Sequence, residues 1–201
     1  MKVLVACEFS GTVREAFRTL GHDAMSCDLL PTETPGPHHQ GDVREILDGP
    51  WDLAICHPPC TYLTVSGNKW MKPEFRDRFP DRERQREEAV EFFMLFADCG
   101  IPKVAIENPI GIMSTRWRKP DQVIQPWMFG HGEIKATCLW LKGLPKLVPT
   151  HMKGDLFAEE EPVERHDRLH RLPPGPERWK ERSKTFAGIA KAMAEQWGGR
   201  A

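Results

Sequence analysis

The chain has 201 residues, enough for one domain with a substantial core and short for two independent ones. With 28 Lys and Arg against 29 Asp and Glu, a net charge of -1, and 40% hydrophobic residues, the composition excludes a polycation, an acidic disordered tail and a membrane protein. Any nucleic-acid surface must then be a local patch. The short apolar run of "MKVLVACEF" breaks at Glu8 and no run of about 18 apolar residues occurs, so no secretory signal and no membrane span is expected and the cytoplasm is the expected compartment. The six cysteines sit mostly in or beside apolar runs, which predicts reduced thiols rather than a disulfide framework.

"KVLVAC" reads as a strand leading through Glu8-Phe9-Ser10-Gly11 into a helix, "TVREAFRTLG", with Val13, Ala16, Phe17 and Leu20 on one face and Gly21 at its end. "HDAMSCDLL" predicts a second strand ending at Asp28, and "GPWDLAICHPPC" another ending before the prolines. Ala89, Phe92, Phe93 and Phe96 define a helix over 82–98, followed by the strand "KVAIENP". "DQVIQPWMFG" and "ATCLWLKG" predict two strands of an antiparallel edge hairpin, and "TFAGIAKAMAEQW" a closing helix. The alternation of strands and helices predicts an α/β fold with a mostly parallel sheet, in a single domain spanning 1–201.

In such a sheet ligands bind beyond the carboxyl ends of the strands, so the residues after each apolar run are the candidate site: Glu8 to Gly11, Asp28, Asp42, His57 to Cys60, and Glu107 to Pro109. A glycine turn followed about 20 residues on by a carboxylate suits a nucleoside cofactor, although Gly11 alone is equally a turn glycine and Asp28 equally a solvated strand end. The two prolines before Cys60 fix the backbone and hold a thiol at a strand end, where it is either a nucleophile or a packed hydrophobe. Glu107 ends an apolar strand, and a buried carboxylate there needs a partner. A thiol and a carboxylate on two strand ends form a plausible nucleophile and acid pair. Cys56, His57 and Cys60 do not make a zinc site, because neighbours on a strand point to opposite faces and no second ligand pair follows. No metal is expected.

In their order along the chain, these segments resemble the DNA cytosine-C5 methyltransferases. Phe9-Ser10-Gly11 matches part of that family's Phe-x-Gly-x-Gly turn, "PPC" at 58–60 its Pro-Cys nucleophile, and "ENP" at 107–109 its Glu-Asn-Val. "FGHGEIKATCLWLKG" aligns with the Tyr-Gly-x-x-Gln-x-Arg-x-Arg segment, so that Glu133, Lys135 and Thr137 take the Gln and Arg positions. The chain departs from the pattern at Val13 for the second glycine, Thr61 for the Gln after the nucleophile and Pro109 for Val.

The resemblance implies a Rossmann-like S-adenosylmethionine-dependent methyltransferase fold. S-adenosyl-L-methionine, or a derivative of it, would be held by Phe9, Ser10, Gly11, Asp28, Asp42 and Pro58, with Cys60 as nucleophile, Glu107 as acid and Lys135 at the base. The segment 145–182 stands as a short proline-rich basic insertion where the family has its target-recognition region. Over 165–184, Arg165, Arg168, Arg171, Arg178, Lys180, Arg182 and Lys184 suit phosphate contacts and Trp179 a stacking platform, the alternative being a solvated basic loop. DNA is the implied partner, with a partner subunit as a further source of sequence recognition. The segment after Cys60 takes the place of the family's catalytic loop, where Trp70 or Met71 either wedges into a base stack or packs the loop down. Two other readings stand beside this one. "HPPC" also resembles the motif of amino-directed (N4-cytosine or N6-adenine) DNA methyltransferases, with His57 in the place of the amine acceptor. The altered motifs also suit a catalytically idle DNA-binding relative.

Overall fold

The computed structural model describes residues 1–151, 167–171, 173, 175 and 178–199. Arg165, with half of the 145–182 segment, lies outside the described residues. The strands are β1 (Lys2–Ala6), β2 (Asp23–Asp28), β3 (His38–Gln40), β4 (Leu53–Cys56), β5 (Lys103–Pro109), β6 (Gln122–Ile124) and β7 (Thr137–Lys142). The helices are α1 (Thr12–Thr19), α2 (Arg82–Asp98), α3 (Met113–Arg116), α4 (Arg168–Arg171), α5 (Arg178–Ser183) and α6 (Ala187–Met193). The sheet runs in the order β3-β2-β1-β4-β5-β7-β6. The first five strands in that order are parallel, and β7 runs antiparallel to both β5 and β6. This is the expected Rossmann-like α/β fold with an antiparallel edge.

Alternation along the central strands builds two cores. Val3 and Val5 face a cluster containing Val13 and Phe17 of α1 and Ile189 and Met193 of α6. Leu4 and Ala6 face the other, with Phe93 and Phe96 of α2 and Trp140 of β7. A sheet buried on both faces explains why its strands read as continuous apolar runs. The chain reverses its direction of winding at β1, which has β2 on one side and β4 on the other. The crevice past Ala6 and Cys56, paired neighbours at the ends of β1 and β4, is therefore the candidate ligand site of this topology.

Two details differ from the sequence reading. β3 is a three-residue edge strand of polar residues, "HHQ", with no apolar alternation to mark it. The predicted strand "DQVIQPWMFG" pairs only over Gln122–Ile124, because Pro126 has no N–H for the ladder and opens a 3-10 turn to Phe129, closed by Gly130 in the left-handed region.

Candidate active site

The exit from β1 is built by Glu8. Its buried carboxylate accepts from the backbone N–H groups of Val13 (2.6 Å) and Arg14 (3.2 Å) and from the Ser10 hydroxyl (3.2 Å), capping α1. To bring Glu8 there the backbone turns at Cys7, a non-glycine residue with φ 59°, a costly conformation that the surrounding contacts hold. Gly11 also has positive φ (77°), and a Cβ there would stand 2.6 Å from the Arg14 guanidinium. Arg14 is fully buried and donates to the Ser26 hydroxyl (2.9 Å) and the Thr34 carbonyl (2.6 Å), tying the loop after β2 under α1. Arg14 carried no signal in the sequence beyond its place on a helix.

Asp28 ends β2 with one oxygen accepting from the Leu30 N–H (2.9 Å), and burial pushes its carboxyl up. Asp42, by contrast, is engaged on both oxygens by Arg44, through the backbone N–H (2.9 Å) and the guanidinium (2.8 Å), which hold it below the usual carboxylate range. It caps a 3-10 turn. Phe9 is buried, its ring centroid 5.9 Å from that of Trp179 on α5. The same segment anchors through Lys184, whose ammonium pairs with Glu33 (2.9 Å) and whose carbonyl accepts from Lys135 Nζ (3.4 Å). Trp179 therefore stands at the Phe9 corner of the site, on the side assigned to the cofactor from the sequence.

β4 and β5 supply the chemical groups. His57 and Glu107 follow the paired residues Cys56 and Ile106, and His57 Nδ1 lies 2.8 Å from Glu107 Oε2. Both side chains are nearly enclosed, at 8% and 12% exposure, and His57 Nε2 is buried with no hydrogen-bond partner among the described residues. Burial pushes the Glu107 carboxyl up, but the His57 hydrogen bond, the Lys135 charge and the Thr137 hydroxyl outweigh it and hold Glu107 below its ordinary value. Glu107 is thus an ionised carboxylate in the free protein. Next on β5, Asn108 donates to the Pro58 carbonyl (2.7 Å) and so fixes the proline pair before Cys60. Burial first, then the Glu107 carboxylate, push the Cys60 thiol up, while Lys135 and Arg182 pull it down. Cys60 rests as a neutral thiol beside an ionised carboxylate and a lysine. The sequence reading paired Cys60 with Glu107 but did not see that His57 is the partner a buried carboxylate required.

After Cys60 the chain crosses to the loop following β5, where Thr64 bridges Gly111 and the Leu63 carbonyl accepts from the Ile112 N–H (2.8 Å). Of the two alternatives for Trp70, the structure has it packed down: its ring lies 5.0 Å from Phe75 and 5.3 Å from Phe79. Among the basic residues, Arg168 donates to Glu133 (2.7 Å) and Arg171 pairs with Asp167 (2.7 Å). Arg178 is half-buried, and the Lys180 ammonium stands 5.8 Å from the Trp179 ring centroid. Among the described residues, no group of three or more His, Cys, Asp or Glu side chains is arranged to hold a metal, and no helix is long and apolar enough to cross a membrane.

No family model and no curated protein matches the chain. Among solved structures it is similar to an Escherichia coli prophage-encoded protein titled a putative DNA modification methyltransferase (18% identity, TM-score 0.48, covering 86% of this chain and 55% of that one). It is also similar to the Entamoeba histolytica methyltransferase EhMeth (11%, 0.46, 75% and 57%) and to a Spodoptera frugiperda DNMT2 mutant (13%, 0.42, 75% and 53%). The chain spans a little over half the length of each. The fold assignment rests on the strand order itself.

Proposed function

We propose that this chain transfers a methyl group from S-adenosyl-L-methionine, or a derivative of it, to C5 of cytosine in DNA through a covalent adduct on Cys60. The observation that carries the reading is the meeting of Cys60, Glu107 and Lys135 in one field at the ends of β4 and β5, beside the crevice at β1. A thiol next to a carboxylate and a cation suits addition to a ring carbon with proton exchange at the ring nitrogen. The neighbouring corner suits a nucleoside with a cationic arm: Phe9 and Trp179 offer aromatic surface, Gly11 lets the turn close over Arg14, and Asp28 presents a half-buried carboxylate at the end of β2. Ser10, Pro58 and Asp42 complete the proposed cofactor set; Asp42 is held by Arg44 but stays 41% exposed, and an ionised carboxylate can accept further bonds. The bound donor supplies an electrophilic methyl group and needs no metal.

The target cytosine must leave the duplex stack to reach Cys60. Arg168, Arg171, Arg178 and Lys180 would hold DNA phosphates, and the short insertion leaves sequence recognition to a brief context or to a partner subunit. The test is mass spectrometry of nucleosides from DNA co-expressed with the protein, together with trapping on 5-fluorocytosine DNA. The reading requires 5-methylcytosine, or a C5-alkylated cytosine if the donor is modified, and a covalent adduct lost in Cys60→Ala. Methylated amino groups without an adduct would establish the amino-directed alternative, and DNA binding without any modified base an idle relative.

A further inference from the structure

Resting on that reading, we propose that His57 is a positioning residue: through Nδ1 it anchors Glu107 to accept the Cys60 proton and pass it to N3 of the cytosine. His57, just past β4, and Glu107, within β5, each stand one residue beyond the paired Cys56 and Ile106 of these parallel strands, so the fold itself brings the 2.8 Å contact about. Facing a carboxylate, Nδ1 carries the proton. Among the described residues Nε2 is buried with no hydrogen-bond partner, so the ring is held there from the Glu107 side only. A glycine or aliphatic residue here would have left Glu107 to Lys135 and Thr137, and burial would have favoured its neutral form.

The consequence lies in proton balance. Cys60 enters as a thiol, so adding sulfur to C6 must dispose of a proton while N3 must gain one. With Glu107 ionised, one relay does both: the S–H bond breaks, the sulfur pair forms S–C6, and the C5–C6 π pair shifts to C4–C5. The displaced C4–N3 π pair takes the proton at N3 from Glu107. The addition is neutral overall and leaves an enamine at C5, the atom that must be nucleophilic. A Glu107 already protonated would supply N3 but leave no acceptor for the thiol proton.

Two substitutions separate this role from mere filling of space. His57→Asn places an amide donor near the Nδ1 position, and His57→Gln places one near Nε2 and leaves Glu107 unanchored. The readouts are the pH profile of Cys60 alkylation by iodoacetamide in the free protein, followed on the Cys60 peptide, and single-turnover methyl transfer. The other charged or titratable groups facing the pair are Asp28 past β2, Lys135 and Cys138 on the β7 side, and Arg182 near Cys60. All remain in both variants. Asn is expected to keep the wild-type alkylation profile and turnover within about threefold. Gln is expected to alkylate faster at neutral pH, as the opposing carboxylate charge weakens, and to lose turnover by about 100-fold, the low end for an acid–base group. Equal behaviour of the two variants, in either readout, overturns the assignment. Wild-type protein that alkylates as expected but forms no modified cytosine would sink the reading of function while leaving the His57–Glu107 relationship standing.

Discussion

Asn108 Nδ2 donates to the Pro58 carbonyl across 2.7 Å, which ties the end of β5 to the turn that carries Cys60. Asn108 is 2% exposed, so its removal strands a buried carbonyl as well as losing the bond. Asn108→Ala is expected to cost about 1–3 kcal/mol of stability, measured by urea unfolding. It should also slow adduct formation on 5-fluorocytosine DNA more than it weakens DNA binding, because it frees the turn and not the basic surface. An unchanged adduct rate would mean that the prolines alone fix Cys60.

Glu107 and Lys135 act on Cys60 with opposite sign, so their removal has opposite effects. Glu107→Gln takes away a charge that pushes the thiol up, and in the free protein Cys60 alkylation should become faster at neutral pH; Lys135→Met should make it slower. Turnover nevertheless falls in Glu107→Gln, by about 100- to 10,000-fold, because the amide cannot carry the proton to N3. A more reactive thiol in a less active enzyme is the signature to look for.

Phe9 and Trp179 lie within ring contact although 170 residues separate them in sequence. Trp179→Ala removes one aromatic wall of the corner proposed for the cofactor, and an aromatic contact is worth about 0.5–1.5 kcal/mol, so S-adenosylmethionine affinity should fall by roughly 2- to 12-fold in calorimetry. DNA affinity without cofactor should change less. The reverse ranking would return Trp179 to the DNA surface, as a stacking platform.

How far the sequence carried depended on whether a feature was local. The helical face of Val13 and Phe17, the continuous apolar strands and the antiparallel β7 were legible because each follows from residue period and burial on both faces of the sheet. So was the suspicion that Glu107 needs a partner. The identity of that partner was not, since His57 meets it through strand pairing across 50 positions. The local role of Asp42 was not read either: it caps the 3-10 turn through Arg44 two residues on, and its extended backbone and the turn after it would have suggested that. β3 had no pattern to read, being three polar residues held by β2.

His131 offers a test of the fold away from the chemistry. Its Nε2 accepts from the Gly188 N–H over 2.8 Å at the start of α6, a position where a Cβ would collide with the Phe129 carbonyl. That acceptor exists only in the neutral ring. Burial first, then His151, hold the His131 pKa below its ordinary 6.5. The unfolded chain therefore takes up the proton first as pH falls, so this contribution is present above about 6.5 and is lost as pH drops below it. Urea unfolding of wild type should show that loss, of about 1 kcal/mol as for a helix cap, and His131→Gln, which keeps an acceptor that does not titrate, should flatten it.

The basic segment gives a prediction about specificity. Arg168 and Arg171 already have acidic partners, Glu133 and Asp167, so a DNA phosphate must compete with a carboxylate for each. Glu133 is the more consequential, since its side chain is only 11% exposed against 43% for Asp167. Glu133→Gln should weaken that hold and raise DNA affinity. Replacing Arg168, Arg171 and Arg178 together by Gln should lower affinity equally for all sequences, because phosphate contacts position the protein without reading bases. Every arginine–phosphate pair removed should also reduce the slope of log affinity against log salt by about 0.9 on duplex DNA, since one fewer counterion is released on binding. Filter binding across a salt series, on two duplexes of unrelated sequence, measures both. A triple variant that loses affinity for one duplex only would show that these arginines reach base edges, and the short segment would then be a reader of sequence despite its length.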